Sequence, residues 1–152
     1  SLQRLTRCSG PRDLMMNTQQ VRALHTAGMG IGAHTVSHPI LAGLDDDTAR
    51  SEIASSREVL QSMLGQRVGL FAYPNGKPDS DYSASSVRLV RELGFDAAVS
   101  TAWGAADSAT DRFQLPRFTP WDTTRWRFGL RLARNLRAAP AGLIDCGYDV
   151  KR

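Results

Sequence analysis

The feature that most constrains this chain is an alternation of two periodicities along its middle. Short, unbroken apolar runs, "MGIGAHT", "VGLFAYP" and "FDAAVST", are separated by longer segments in which apolar residues recur every three or four positions. Unbroken runs of this length suit strands buried on both faces, and helical segments between them supply the crossovers that parallel strands need. The alternation therefore predicts parallel βα units, an α/β fold class with right-handed connections. A fourth run, "QLPRF", is a weaker strand candidate.

The helical segments carry start and stop signals of their own. "MNTQQVRALHTAG" opens with Asn17 and Thr18 as candidate caps, repeats apolar residues at Val21, Leu24 and Ala27, and stops at Gly28. "LDDDTARSEIASSREVLQSMLG" gathers acids at its start, where the helix dipole favours them, and ends at Gly65. Ala49, Ile53, Ser56, Leu60 and Leu64 share one face of that helix. "DYSASSVRLVRELG" turns Val87, Val90 and Leu93 inward and stops at Gly94. "VGLFAYP" closes at Pro74 and the turn pair Asn75-Gly76.

In parallel βα folds, chemistry collects at the carboxyl ends of the strands. His34 ends the first run, Tyr73 to Asn75 the second and Ser100 to Trp103 the third, so three separate segments converge on one face. In "HTVSH", His34 and His38 stand four residues apart, two imidazoles able to hold zinc or a related divalent ion together. The competing reading is a hydrogen-bonded histidine pair that caps a strand end. His25, mid-helix beside Leu24, reads as surface or structural.

Composition narrows the function classes. The 152 residues, 41% apolar and 22% charged, suit one ordinary globular domain. No apolar run approaches the length of a membrane span. No charged-then-apolar start marks a secretion leader, so a cytoplasmic location is the default expectation, with a cell-envelope location for a longer parent enzyme as the alternative. Cys8 and Cys146 lie near opposite ends without metal-type spacing and leave the redox compartment open. Net charge is +4, and much of the excess falls between Arg112 and Arg137. In residues 123–137, Arg127, Arg131 and Arg134 share one helical face, while Trp126, Leu130, Ala133 and Leu136 share another. This predicts a helix that docks its apolar side and keeps a solvated basic face. Weak contact with an anionic membrane surface is the alternative. No zinc-finger spacing, helix-turn-helix or aromatic RNA motif points to nucleic acid.

"HTVSH" resembles the H-[ST]-x-x-H metal motif of the polysaccharide deacetylases, the family of the NodB homology domain. "FAYPNG" resembles that family's F-R-x-P-[YF]-G segment, with Ala72 at the arginine position, and "ELGFDAAVST" and "LPRFTPW" resemble segments that follow it. The resemblance covers residues 14–137, leaving 1–13 unassigned and 138–152 as a C-terminal tail without clear period. It implies a distorted (β/α) barrel that removes acetyl groups from N-acetylated sugars of a polysaccharide. A divalent metal, most often zinc, would be held by two histidines and an aspartate, with His34 and His38 matching the histidines. The backbone N–H of Asn75, after Pro74, matches the oxyanion donor. Tyr73, Pro74 and Trp103 would lie against the sugar, and Arg117 would stabilise charge.

The departures are as informative. The family's T-F-D-D-G motif, which supplies its catalytic base and third metal ligand, has no counterpart in the 33 residues before His34. Asp13 lacks the strand and glycine context, and the acids at 45–47 read as a helix start. The histidine of the late L-x-H motif is replaced in "LPR" by Arg117, which cannot donate a proton at neutral pH. Asp79 and Asp81 read as solvated loop acids. The expectation is a C-terminal portion of a deacetylase barrel that lacks its first strand or strands, with weak metal binding and little turnover alone. The alternatives are a catalytically incomplete pseudoenzyme or glycan-binding module, and a basic scaffold with a structural histidine pair.

Overall fold

The structure, a computed structural model, describes residues 15–147. Cys8 and Asp13 lie outside the described residues. The chain divides into two units, up to Gly30 and from Ile31 onward. In the first, helix α1 (Thr18–Thr26) starts where expected. Asn17 Oδ1 accepts the Gln20 N–H at 3.0 Å while Gln20 Oε1 accepts the Asn17 N–H at 2.9 Å, a reciprocal cap. Gly28, at φ +89°, stops the helix in a conformation other residues resist.

From Ile31 the order is a 3₁₀ turn (Leu41–Gly43), α2 (Asp46–Leu64), β1 (Leu70–Ala72), α3 (Ala84–Glu92), β2 (Ala97–Val99) and α4 (Arg125–Leu136). Asp45 caps α2 by accepting the Thr48 N–H at 2.9 Å, so the acids at 45–47 are a helix start, as expected. β1 and β2 pair in parallel with Phe71 opposite Ala98. Single parallel bridges add Ala33 beside Phe71 and Leu115 beside Val99. The protein is thus α/β, with a small parallel sheet whose rows run Ala33, β1, β2, Leu115.

Two expected strands shrink to single bridges. Ala33 donates to the Leu70 carbonyl at 2.8 Å and accepts from the Ala72 N–H at 2.9 Å. Gly32 precedes it, and Thr35 then enters the left-handed region at φ +61°, which ends the ladder. Leu115 pairs in the same way, but Pro116 follows and has no N–H to extend the row.

Helices α2 and α3 supply the core that covers one sheet face. Ala49 and Ile53 of α2, and Val87, Leu89 and Val90 of α3, are buried with Phe71, Phe95 and Ala98. Each large apolar side chain buried in this way contributes about 1.5–3 kcal/mol. Leu60, Leu64 and Leu93 sit at the rim, and Leu89 joins the core beyond the three residues that the spacing turned inward. Strand alternation sends Leu70, Ala72, Ala97 and Val99 to the other face, where they line an open cavity of about 290 Å³ with His34 and Leu115.

One expectation about the C-terminal third is overturned. The apolar face of α4 does not dock: Trp126, Leu130 and Leu136 are 73%, 58% and 64% exposed. The helix attaches by a third face instead. Asn135, buried, accepts the Gly104 N–H and donates to the Gly104 carbonyl, both at 3.1 Å. Phe128 meets Phe118 with ring centroids 5.9 Å apart. Within the stretch that shows no clear period in the sequence, residues 141–147 are held to the fold through Ile144. Buried Gln114 donates to the Ile144 carbonyl at 2.9 Å and accepts the Ile144 N–H at 3.0 Å. Ile144 and Cys146 pack on the core, with the Cys146 thiol free. Among the described residues no helix is long and apolar enough to cross a membrane.

Candidate functional site

His34 follows Ala33 on the open face of the sheet, because Ala33 is the residue of that row turned toward the core. Its Nδ1 lies 2.7 Å from the Ala72 carbonyl oxygen. A carbonyl only accepts, so Nδ1 is the donor, and in the neutral ring Nε2 carries the lone pair. The His38 ring stands edge-on to it, with centroids 4.8 Å apart. A histidine tied through one nitrogen to a backbone carbonyl, with the other nitrogen free, is the arrangement that orients metal-ligating imidazoles.

The loop that carries both rings holds two left-handed residues within four positions. Thr35 and His38 adopt φ of +61° and +58°, positions where residues with a Cβ carry strain. Thr35 Oγ1 donates to the His34 carbonyl at 2.6 Å and accepts the His38 N–H at 3.2 Å, joining the two histidines through one hydroxyl. Glu52 of α2 completes the loop. Its carboxylate accepts the Val36 and Ser37 N–H groups, each at 2.9 Å, and the Ser37 hydroxyl at 2.8 Å. These bonds, the Ser37 N–H first, hold the Glu52 carboxyl below its ordinary value. Reading of the sequence missed Glu52. The signal available was an acid three residues after inward Ala49, bordering the buried face of α2.

The ends of the next two rows meet as expected. Thr101, after β2, donates its hydroxyl to the Asn75 carbonyl at 3.0 Å and its N–H to the Gly76 carbonyl at 2.7 Å. Asn75 and Gly76 are both left-handed, at φ +55° and +80°. A Cβ on Gly76 would come within 3.1 Å of the Thr101 nitrogen, so the close approach needs glycine. The Asn75 N–H makes no hydrogen bond among the described residues, and Asn75 is exposed.

The four residues assigned to the substrate fare differently. Tyr73 is 1% exposed, its hydroxyl donates to the Phe113 carbonyl at 3.0 Å, and its ring stacks on Tyr82 at 4.0 Å. Burial raises its ionisation well above the ordinary phenol value. Pro74 is also buried. Neither offers a surface to a sugar, which corrects that expectation. The reason is strand parity: Tyr73 is two residues beyond Phe71 and shares its core-facing side. Trp103 is partly exposed and lines a second cavity of about 590 Å³ with Asp122, Arg127, Leu130, Arg131 and Arg134. Arg117 is exposed, and its guanidinium has no partner among the described residues.

Among the described residues, no third His, Cys, Asp or Glu joins the His34–His38 pair. Asp81 accepts the Lys77 N–H at 2.8 Å and shapes its own turn, while Asp79 is exposed. His25, in the first unit, has a buried Nδ1 without a hydrogen-bond partner.

Comparison with known proteins gives these features a family. The profile of the family described as polysaccharide deacetylase matches residues 9–98. YxkH of Bacillus subtilis (strain 168), whose name places it among the polysaccharide deacetylases, is 26% identical over 102 residues, 67% of this chain and 35% of its own length. The solved structure of the Streptococcus pyogenes deacetylase PplD in complex with acetate superposes with a TM-score of 0.70 at 22% identity, over 90% of this chain and 55% of that one. A family 4 carbohydrate esterase from Streptomyces lividans, also in complex with acetate, gives a TM-score of 0.50 at 26% identity, over 59% of this chain and 43% of that one. The chain thus spans between 35% and 55% of the length of these relatives.

Proposed function

The chain belongs to the polysaccharide deacetylase family, and from that premise we propose that it carries the metal-holding part of an enzyme that hydrolyses acetyl groups from N-acetylated sugars in a polysaccharide. The observation that carries this reading is the His34 ring, tied through Nδ1 to Ala72 with Nε2 left free beside His38. An imidazole so oriented, with the His38 ring beside it, fits a divalent ion of the zinc type. Such an ion, when bound, supplies Lewis acidity toward an acetyl carbonyl and makes water acidic enough to serve as nucleophile near neutral pH. The chain's own contribution is orientation. Thr35 and Glu52 fix the loop that carries both rings, and the unengaged Asn75 N–H is available to charge developing on the carbonyl oxygen.

The third ligand and the base would come from outside residues 31–147, in a longer chain that closes the sheet into a distorted (β/α) barrel. Two observations support this. Leu70, Ala72, Ala97, Val99 and Leu115 present an apolar sheet face to an open cavity, the face that further strands would cover. The chain also spans about half the length of its relatives or less. On this reading the 152-residue chain binds zinc weakly and turns over little by itself.

Zinc titration of the chain by calorimetry, with His34→Ala and His38→Ala beside it, tests the proposal. Binding that each substitution abolishes is expected. Binding that survives His38→Ala, or no zinc binding at all, would sink it.

A further inference from the structure

The cavity beside Trp103 plays no part in the chemistry above, yet its wall is unusually charged. Of its three arginines, Arg131 is engaged by Asp122 at 2.7 Å, and that aspartate's side chain is only 10% exposed. Arg127 and Arg134 have no acidic partner among the described residues. They stand two turns apart on one side of α4, about 10 Å along the axis at the rise of an α-helix. Three guanidinium groups against one carboxylate leave the cavity with two uncompensated positive charges.

Placement of these groups is fixed from both sides. Asn135, next to Arg134, is doubly hydrogen-bonded to Gly104, next to Trp103, so the basic side of α4 is held against the indole. A Cβ at Gly104 would fall 2.4 Å from the Ala139 carbonyl oxygen, so glycine is required at that junction. Trp103 stands two residues beyond Thr101, the residue that binds the Asn75 turn. Trp103 is thus tied, through two residues of chain, to the residue that binds the turn carrying the proposed oxyanion donor.

An indole offers a flat apolar face to the C–H face of a sugar ring. Guanidinium groups offer planar, two-pronged donors matched to carboxylates and are poorly used by a neutral glycan. We infer that the cavity bounded by Trp103, Arg127 and Arg134 is a subsite for a carboxylate-bearing sugar of the substrate polymer. The inference rests on the deacetylase reading and deepens it by giving the substrate a charge. An anionic lipid surface is the competing partner for a basic helix. The concavity and the indole within it favour a single polymer chain over a flat bilayer, which would meet outward-facing Trp126 and Leu136 instead.

The test is calorimetric binding at low ionic strength with four probes: carboxymethyl chitin, neutral glycol chitin, polyglutamate and phosphatidylglycerol vesicles. At least tenfold tighter binding of carboxymethyl chitin than of glycol chitin is expected. The double variant Arg127→Gln/Arg134→Gln should remove that preference and keep the affinity for glycol chitin, while Trp103→Ala weakens both. Both arginines lie on an exposed helix, and an unchanged thermal midpoint will show that the double variant is folded. Equal affinity for the two chitins, or a preference that survives in the double variant, overturns the subsite and leaves the deacetylase reading intact. Polyglutamate or vesicles bound as tightly as carboxymethyl chitin overturn it in favour of general charge attraction or a lipid partner. Failure to bind either chitin overturns the subsite, while the deacetylase reading stands or falls with zinc binding by His34 and His38.

Discussion

The carboxylate of Glu52 accepts both the N–H and the hydroxyl of Ser37, at 2.9 and 2.8 Å, across fifteen residues of chain. It thereby ties the first turns of α2 to the loop between the two histidines. That loop contains left-handed Thr35 and His38, so the backbone there resists its own conformation and needs an outside anchor.

Glu52→Ala should therefore loosen the histidine loop more than it loosens the fold. Three hydrogen bonds end on one carboxylate, but it faces solvent, so the expected loss is about 1–2 kcal/mol in urea unfolding. Zinc affinity should fall together with stability, and Ser37→Ala should give a smaller effect of the same sign. A Glu52→Ala protein with native zinc affinity would show that the anchor has no bearing on the site.

The pH dependence of the same contact has a definite sign. Hydrogen bonds lower the folded-state value of Glu52 from about 4.5, so its stabilisation is present above 4.5 and is lost as pH falls through the lower, folded value. Asp45, Asp96 and Asp107 are lowered too, so the contribution is isolated by difference. The stability gap between the protein and Glu52→Gln should be constant from pH 7 to pH 5 and shrink below 4.5. A gap that widens on acidification contradicts the assignment.

Gln114 is the second anchor to test. Its buried amide pairs with both backbone groups of Ile144 and accepts the Tyr82 hydroxyl at 3.2 Å. Gln114→Leu keeps the volume but strands those partners, at an expected cost of about 2–3 kcal/mol. Limited proteolysis should then cut within residues 138–147 well before the rest of the chain. Uniform resistance would mean that apolar packing of Ile144 alone holds the segment.

Gly104 should tolerate no side chain. At φ +119°, with the Ala139 carbonyl in the space of a Cβ, Gly104→Ala must displace the backbone that seats α4. Faster hydrogen exchange along α4 than in α2 or α3 is expected, with Asn135→Ala giving a milder version. Unchanged exchange in α4 would show that Phe128 on Phe118 is sufficient to hold the helix.

Much of the fold and part of the site were legible in the sequence. The cap at Asn17, the acidic helix start at 45–47, stops at Gly28, Gly65 and Gly94, and inward Ile53, Val87 and Val90 all follow from signals within one or two helical turns. The grouping of His34, the Asn75 turn and Thr101 followed from a topological rule about strand ends. Tyr73 was misplaced because its position at a strand end was given more weight than its parity with Phe71.

What the amino-acid order determined by itself is local: where helices begin and end, which runs can be strands, and that two imidazoles share one short loop. These depend on backbone preference and on periodicity, which act over a few neighbouring residues. Tertiary structure alone decided which face of α4 docks, that the segment around Ile144 is pinned, and that Glu52 anchors the histidine loop. The contacts responsible, Asn135 with Gly104, Gln114 with Ile144 and Glu52 with Ser37, join residues 15 to 31 positions apart. An amphipathic pattern shows that a helix has two unlike sides. A polar pair across the fold chooses between them.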